Sequence, residues 1–196
     1  MARCGEVHCR FARPPTGLTL LACATIGTFQ PADTLGAGGK RLGLATSYAS
    51  ADGVGIPHVD GTWTTGLAPQ VDASVSLGTS GLGVGGKLQS TPPEEAVVLS
   101  LAATIYVFPV PQDADADGFG AGVSGQAMML LGLPLGPHQL VLAPKVHGTT
   151  NLDRLAAGGS VGIAFRGRRV AFIPEVSVTV GETVWVQAGV ALLLGG

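Results

Sequence analysis

Asp113, Asp115 and Asp117 stand at alternate positions directly before Gly118, in the run DADADG. Three carboxylates brought together repel one another unless a cation or protons intervene. The spacing matches the first half of a DxDxDG calcium loop. Ser124 occupies the place of the glutamate that would close such a loop. Any calcium affinity therefore belongs at about the 10⁻⁴–10⁻³ M level of extracellular modules. The same residues also read as a solvated acidic turn between two strands.

A second polar set is spread along the chain: Asp72, Lys87, Gln89, Gln126, Lys145, His147, Arg166, Arg169, Glu175 and Gln187. Each falls on the small, polar side of an alternating stretch. Enclosed charges of both signs pair, which gives a salt-bridged, mostly filled interior. The other reading of the set is a narrow polar pore, because lumen side chains tune selectivity in barrels. For catalysis, His58 and Asp60 lie near Ser47 and Ser50 across a loop, while His138 and His147 share a later stretch. A nucleophile, a base and an orienter must come together, and no such motif is present, so no catalytic residue and no enzyme activity are expected.

The elements that must position these groups are strands. In Gln70–Ser90, Val71, Ala73, Val75 and Leu77 alternate with Asp72, Ser74, Ser76 and Gly78; Leu82, Val84 and Leu88 then alternate with Gly83, Gly85, Lys87 and Gln89. Period two puts one set on each face of a sheet. The same pattern predicts strands at 41–50, 58–66, 96–108, 119–133, 138–149, 155–166, 169–180 and 183–194, with turns such as TPPEE at 91–95 between them. That makes ten strands in an up-and-down antiparallel meander, with eight or twelve as neighbouring possibilities. Pro144 and Pro174 fall inside predicted strands, where they should mark bulges or strand ends.

Composition decides which way the apolar face points. Only 12% of residues are charged, against roughly 25% in ordinary soluble domains. A soluble barrel needs a solvated exterior, whereas a membrane barrel keeps an apolar outside and a polar inside. Mean hydropathy is +0.42, yet no run approaches the roughly 18 uninterrupted apolar residues of a transmembrane helix. A closed transmembrane β-barrel is then the expected fold. The net charge of −2 and pI near 6.0 argue against a nucleic-acid partner.

Residues 1–22 read as a possible leader, 23–40 as a linker or plug-like approach segment, and 41–196 as the barrel. Cys4, Cys9 and Cys23 all lie in the first 23 residues, so no disulfide framework supports the barrel. Leu20-Leu21-Ala22-Cys23 looks like a bacterial lipoprotein lipobox, with Cys23 as the lipidated residue; an altered signal peptide is the alternative.

Gln187, Gly189, Leu192 and Leu194 match the C-terminal β-signal of outer-membrane barrels, although the usual terminal aromatic is replaced by Gly195-Gly196. With the strand meander, this makes 40–196 resemble the small porin-like outer-membrane β-barrels of Gram-negative bacteria. The resemblance implies a location in the bacterial outer membrane. It also implies contact with lipid and lipopolysaccharide, assembly by the barrel machinery, and a role as a small passive pore or structural surface protein. No cofactor is expected beyond the possible weak calcium. The competing reading is a soluble, lipocalin-like carrier of a hydrophobic ligand, suggested by the apolar inner positions Val98, Met128 and Leu130.

Overall fold

The computed structural model describes residues 27–51, 54–92, 94–111, 119–149, 154–181 and 183–195. The expected acidic loop at Asp113, Asp115 and Asp117, and the expected lipidation site Cys23, lie outside the described residues.

The chain forms ten strands: β1 (Lys40–Ala51), β2 (Val54–Ala68), β3 (Val71–Gly78), β4 (Gly81–Gln89), β5 (Val98–Pro111), β6 (Phe119–Leu135), β7 (His138–Thr149), β8 (Arg154–Arg166), β9 (Val170–Val180) and β10 (Val184–Gly195). Each pairs antiparallel with the next, and β10 pairs back onto β1 from Arg41↔Gly195 to Ser50↔Val186, closing the barrel. Closure leaves no edge strand exposed. The even count brings the start of β1 and the end of β10 to one rim, here called the terminal rim. The turns at 69–70 and 136–137 lie at that rim. The turn at 79–80 lies at the opposite one. At 136–137, Gly136 has φ +61°, a conformation glycine adopts without steric cost.

Alternation sorts the two faces as period two requires. Leu44, Leu77, Leu82, Val84, Ile105 and Val146 point outward and are more than half exposed. Residues of the other parity, such as Ser76, Lys87, Ser100, Lys145 and Gln187, point inward and are buried. An apolar exterior around a polar interior is the surface pattern of a transmembrane β-barrel.

Three details depart from the sequence reading. β2 begins at Val54, because its pairing with β1 runs unbroken through Gly55 and Pro57, while its pairing with β3 reaches only to Asp60 and leaves Pro57 no ladder to break on that side. Pro144 and Pro174 lie in mid-strand and mark neither bulges nor strand ends. Pairing skips the positions opposite Pro144 on β6 and Pro174 on β8, and the register resumes unshifted beyond each. On their other sides, Pro144↔Gly159 and Val190↔Pro174 are kept. An antiparallel residue sends its N–H to one neighbour only, so each proline interrupts one ladder and spares the other. The bulge lies elsewhere, between Gly66 and Ala68. Arg169 also departs from expectation. Gly167 N donates to Val170 O at 2.7 Å, which closes a turn that includes Arg169 and leaves it exposed at the rim.

Candidate functional site

The site is the lumen, and its main occupant is the chain itself. Residues 27–35 belong to no strand. They run inside the barrel from mid-depth to the terminal rim, where 36–39 turn into β1. A segment outside the sheet has no ladder to satisfy its backbone, and buried N–H and C=O groups must find partners. The inward side chains supply them.

Glu175 is the deepest anchor. Its Oε1 accepts from Thr28 N at 2.6 Å and its Oε2 from Phe29 N at 2.7 Å. Gln139 Oε1 accepts from Ala32 N at 3.0 Å, and Ser100 Oγ donates to Ala32 O at 2.6 Å. Gln89 Oε1 accepts from Thr34 N, and Asp72 Oδ1 from Leu35 N, each at 3.0 Å. Lys87 Nζ donates to Asp33 O at 2.6 Å and Pro31 O at 3.2 Å, and pairs with Asp72 Oδ2 at 3.3 Å. The Arg166 guanidinium holds the Asp33 carboxylate and also donates to Gln139 Oε1. Burying these charges is tolerable because each is paired or hydrogen-bonded.

Apolar contacts seat the same segment. Ala32 packs with Val98, Ala102, Met128, Leu130, Val141 and Ala143 from β5, β6 and β7. Phe29 packs with Ala164, Ile173, Ala191 and Leu193 from β8, β9 and β10. Its φ of +44° is a left-handed conformation that costs an L-residue roughly 1–2 kcal/mol. The hydrogen bond from its N–H to Glu175 and the packing of its ring hold it there.

Two glycines leave the room this seat needs. A Cβ on Gly132 would lie 2.8 Å from the Ala32 Cβ. A Cβ on Gly189 would lie 2.8 Å from the Phe29 ring and 2.4 Å from the Ser47 Cβ. We expect Gly189→Val to destabilise the folded barrel by about 1–3 kcal/mol through overpacking, read as a lower urea midpoint in detergent. An unchanged midpoint would show that Phe29 is not seated on this wall.

The facing wall, from β1 to β4 and on to Thr104 of β5, carries polar inward side chains. Register lines up one inward row across it: Arg41↔Thr64, Thr64↔Ser74, Ser74↔Gly85 and Gly85↔Thr104. The row above includes Thr62 and Ser76, whose hydroxyls are 3.1 Å apart. Between this wall and residues 27–31 of the inner segment lies a cavity of about 90 Å³.

Of the polar residues singled out from the sequence, Asp72, Lys87, Gln89, Gln126, Lys145, Glu175 and Gln187 are buried and inward. Arg166 is half-buried near the terminal rim, and His147 is inward on β7, with its Nδ1 enclosed. Ser47 lies opposite His58, but its hydroxyl accepts from Gln187 Nε2. Both oxygens of Asp60 accept from Ser80. His138 stacks edge-on against Phe165 and accepts from Arg166 N. The inner apolar positions Val98, Met128 and Leu130 are covered by Ala32. Sequence reasoning missed Arg41, Ser100 and Gln139 as site residues. For Gln139 a signal existed, since alternation puts it on the same face as Lys145 and His147.

No protein family matches the chain, and no curated protein matches it. Among solved structures it is similar to one described as the de novo design of transmembrane beta-barrels, at 11% identity and a TM-score of 0.36, covering 81% of this chain and 97% of that one.

Proposed function

We propose that this chain spans a bacterial outer membrane as a small structural barrel, narrowed by its own inner segment to a passage for water and small ions. The observation that carries the reading is the pair of faces. Leucine and valine stand exposed around the outside, while Asp72, Lys87, Lys145 and Glu175 lie buried within. In water, that outer wall would be an apolar patch far larger than monomeric soluble proteins expose. In a bilayer it meets lipid.

The inner segment argues for a small conductance. It is tied down by charged and amide groups from five strands, β3, β4, β7, β8 and β9, and it occupies the terminal half of the lumen. The cavity it leaves is too small for a bulky solute. It also covers the inner apolar positions that a ligand carrier would need, which favours the membrane reading over the soluble one. Strand β10, which carries the β-signal-like residues Gln187 to Leu194, closes the barrel against β1, a fitting last step for insertion by an assembly machine.

Fractionation of the expressing cells tests the reading. We expect the chain in the membrane pellet, resistant to carbonate extraction. In planar bilayers the purified protein should show single-channel conductance well below that of an open porin. Recovery in the soluble periplasm would overturn the membrane assignment. A large, steady open state would overturn the narrowed lumen.

A further inference from the structure

Charges of both signs gather within the terminal half of the lumen. Three cations, Arg41, Lys87 and Arg166, stand among two carboxylates, Asp33 and Asp72, whose fields reach Arg41. Both carboxylates are already engaged, Asp72 by Lys87 and Leu35 N and Asp33 by Arg166. Lys87 is spent on Asp72 and two backbone carbonyls. The half-buried guanidinium of Arg41 makes no ion pair or hydrogen bond among the described residues, and it lines the 90 Å³ cavity.

What surrounds Arg41 on that wall is a set of hydroxyls. Thr64 is its cross-strand partner, and Ser74 and Thr104 continue the row. Hydroxyls both donate and accept, so beside a guanidinium they can turn their protons toward an anion. The planar guanidinium matches carboxylate and phosphate oxygens in a two-point geometry. Asp60 also lines the cavity, with both of its oxygens accepting from Ser80, and buried Lys87 in the same lining brings the cations to two against that one carboxylate. The volume is far above the ~10–15 Å³ one water needs but excludes large solutes.

We propose that this cavity is a binding site for a small oxyanion, a phosphate or a simple carboxylate, held by Arg41 and the hydroxyls of Thr64, Ser74 and Thr104. The proposal deepens the narrow-passage reading, since the ligand must enter through the lumen. It predicts that ions crossing the passage are preferentially anions, as rings of Arg or Lys select in anion pores.

The test uses the full chain folded in detergent micelles, with inorganic phosphate as the probe at constant ionic strength. Phosphate should raise the unfolding temperature along a saturating curve. Arg41→Gln should move half-saturation about tenfold or more higher, the scale of losing a hydrogen bond to a charged group. Arg41→Lys, which keeps the charge but not the two-point geometry, should fall between. Arg168→Gln, which removes the same charge from the exposed turn at that rim, should match the parent. No shift in the parent, or equal shifts in the parent and Arg41→Gln, would overturn the site. So would equal losses in Arg41→Gln and Arg168→Gln. Liposome conductance separates this from the reading it rests on. Phosphate binding without conductance removes the passage and keeps the site, whereas conductance without phosphate binding removes the site and keeps the passage.

Discussion

Glu175→Ala should release the inner segment. Glu175 is 5% exposed, and its two oxygens receive the N–H groups of Thr28 and Phe29. A hydrogen bond to a charged group is worth about 1.5–3 kcal/mol. Removing the carboxylate also relieves its own desolvation, so the net loss for the docked segment should be on the order of 2–4 kcal/mol. The strain at Phe29 acts in the same direction, because the left-handed backbone persists only while its surroundings hold it. Hydrogen exchange of the peptide covering 28–35 is the direct measurement. In the parent its amides should exchange with the barrel strands. In Glu175→Ala they should exchange faster by about 30-fold or more, the factor that corresponds to about 2 kcal/mol, while the strands keep their protection. Glu175→Gln keeps one acceptor oxygen and should lose about half the effect. Channel measurements should follow, with a larger and noisier conductance in the alanine variant. Equal exchange in parent and variant would show that the segment is held by Phe29 and Ala32 packing alone.

The contrast between strands and inner segment explains what sequence could and could not reveal. Strands were legible because the two sides of the wall meet different surroundings, and period two writes that difference into neighbouring residues. Val75 and Leu77 against Ser74 and Ser76 is a local signal, and no knowledge of the partner strand is needed to read it. Prolines 144 and 174 misled because their cost depends on which neighbour the missing N–H faced, a register property. Arg169 misled by one residue, since the turn at Gly167 closes on Val170 and takes in a residue that alternation had assigned to the strand. The inner segment was legible only as a break in the pattern. What binds it is its backbone, and backbone N–H groups at 28, 29, 32, 34 and 35 leave no residue signature. The partners were visible as polar positions on the right face, for Asp72, Lys87, Gln89 and Glu175, but what they held was not. Arg41 was missed for a related reason. Its meaning comes from how the charges of β3, β4, β8 and the inner segment pair with one another, which only the closed barrel brings about.

Val84→Arg gives the sharpest separation between a lipid-facing and a water-facing wall. Val84 is 61% exposed and lies at the middle of β4, opposite Val75 on β3 and Ile105 on β5, which are 49% and 60% exposed. In water, an arginine at such a position finds solvent at once, and an exposed substitution of this kind stays within about ±0.5 kcal/mol. In a bilayer, the same arginine must be dehydrated or drag water inward, which costs about 2–4 kcal/mol near the midplane and falls to about 0–1 kcal/mol at the interface. Leu155, 83% exposed near the start of β8, at the rim away from the termini, supplies the shallow comparison. Urea unfolding from phosphatidylcholine vesicles should therefore show a loss of about 2–4 kcal/mol for Val84→Arg and at most about 1 kcal/mol for Leu155→Arg. The dependence on depth is the informative part. A general intolerance of arginine on a strand would penalise both sites alike, and a solvated exterior would penalise neither. Losses below about 0.5 kcal/mol at both positions would mean that the apolar wall faces water or another protein, and the membrane assignment would have to be given up.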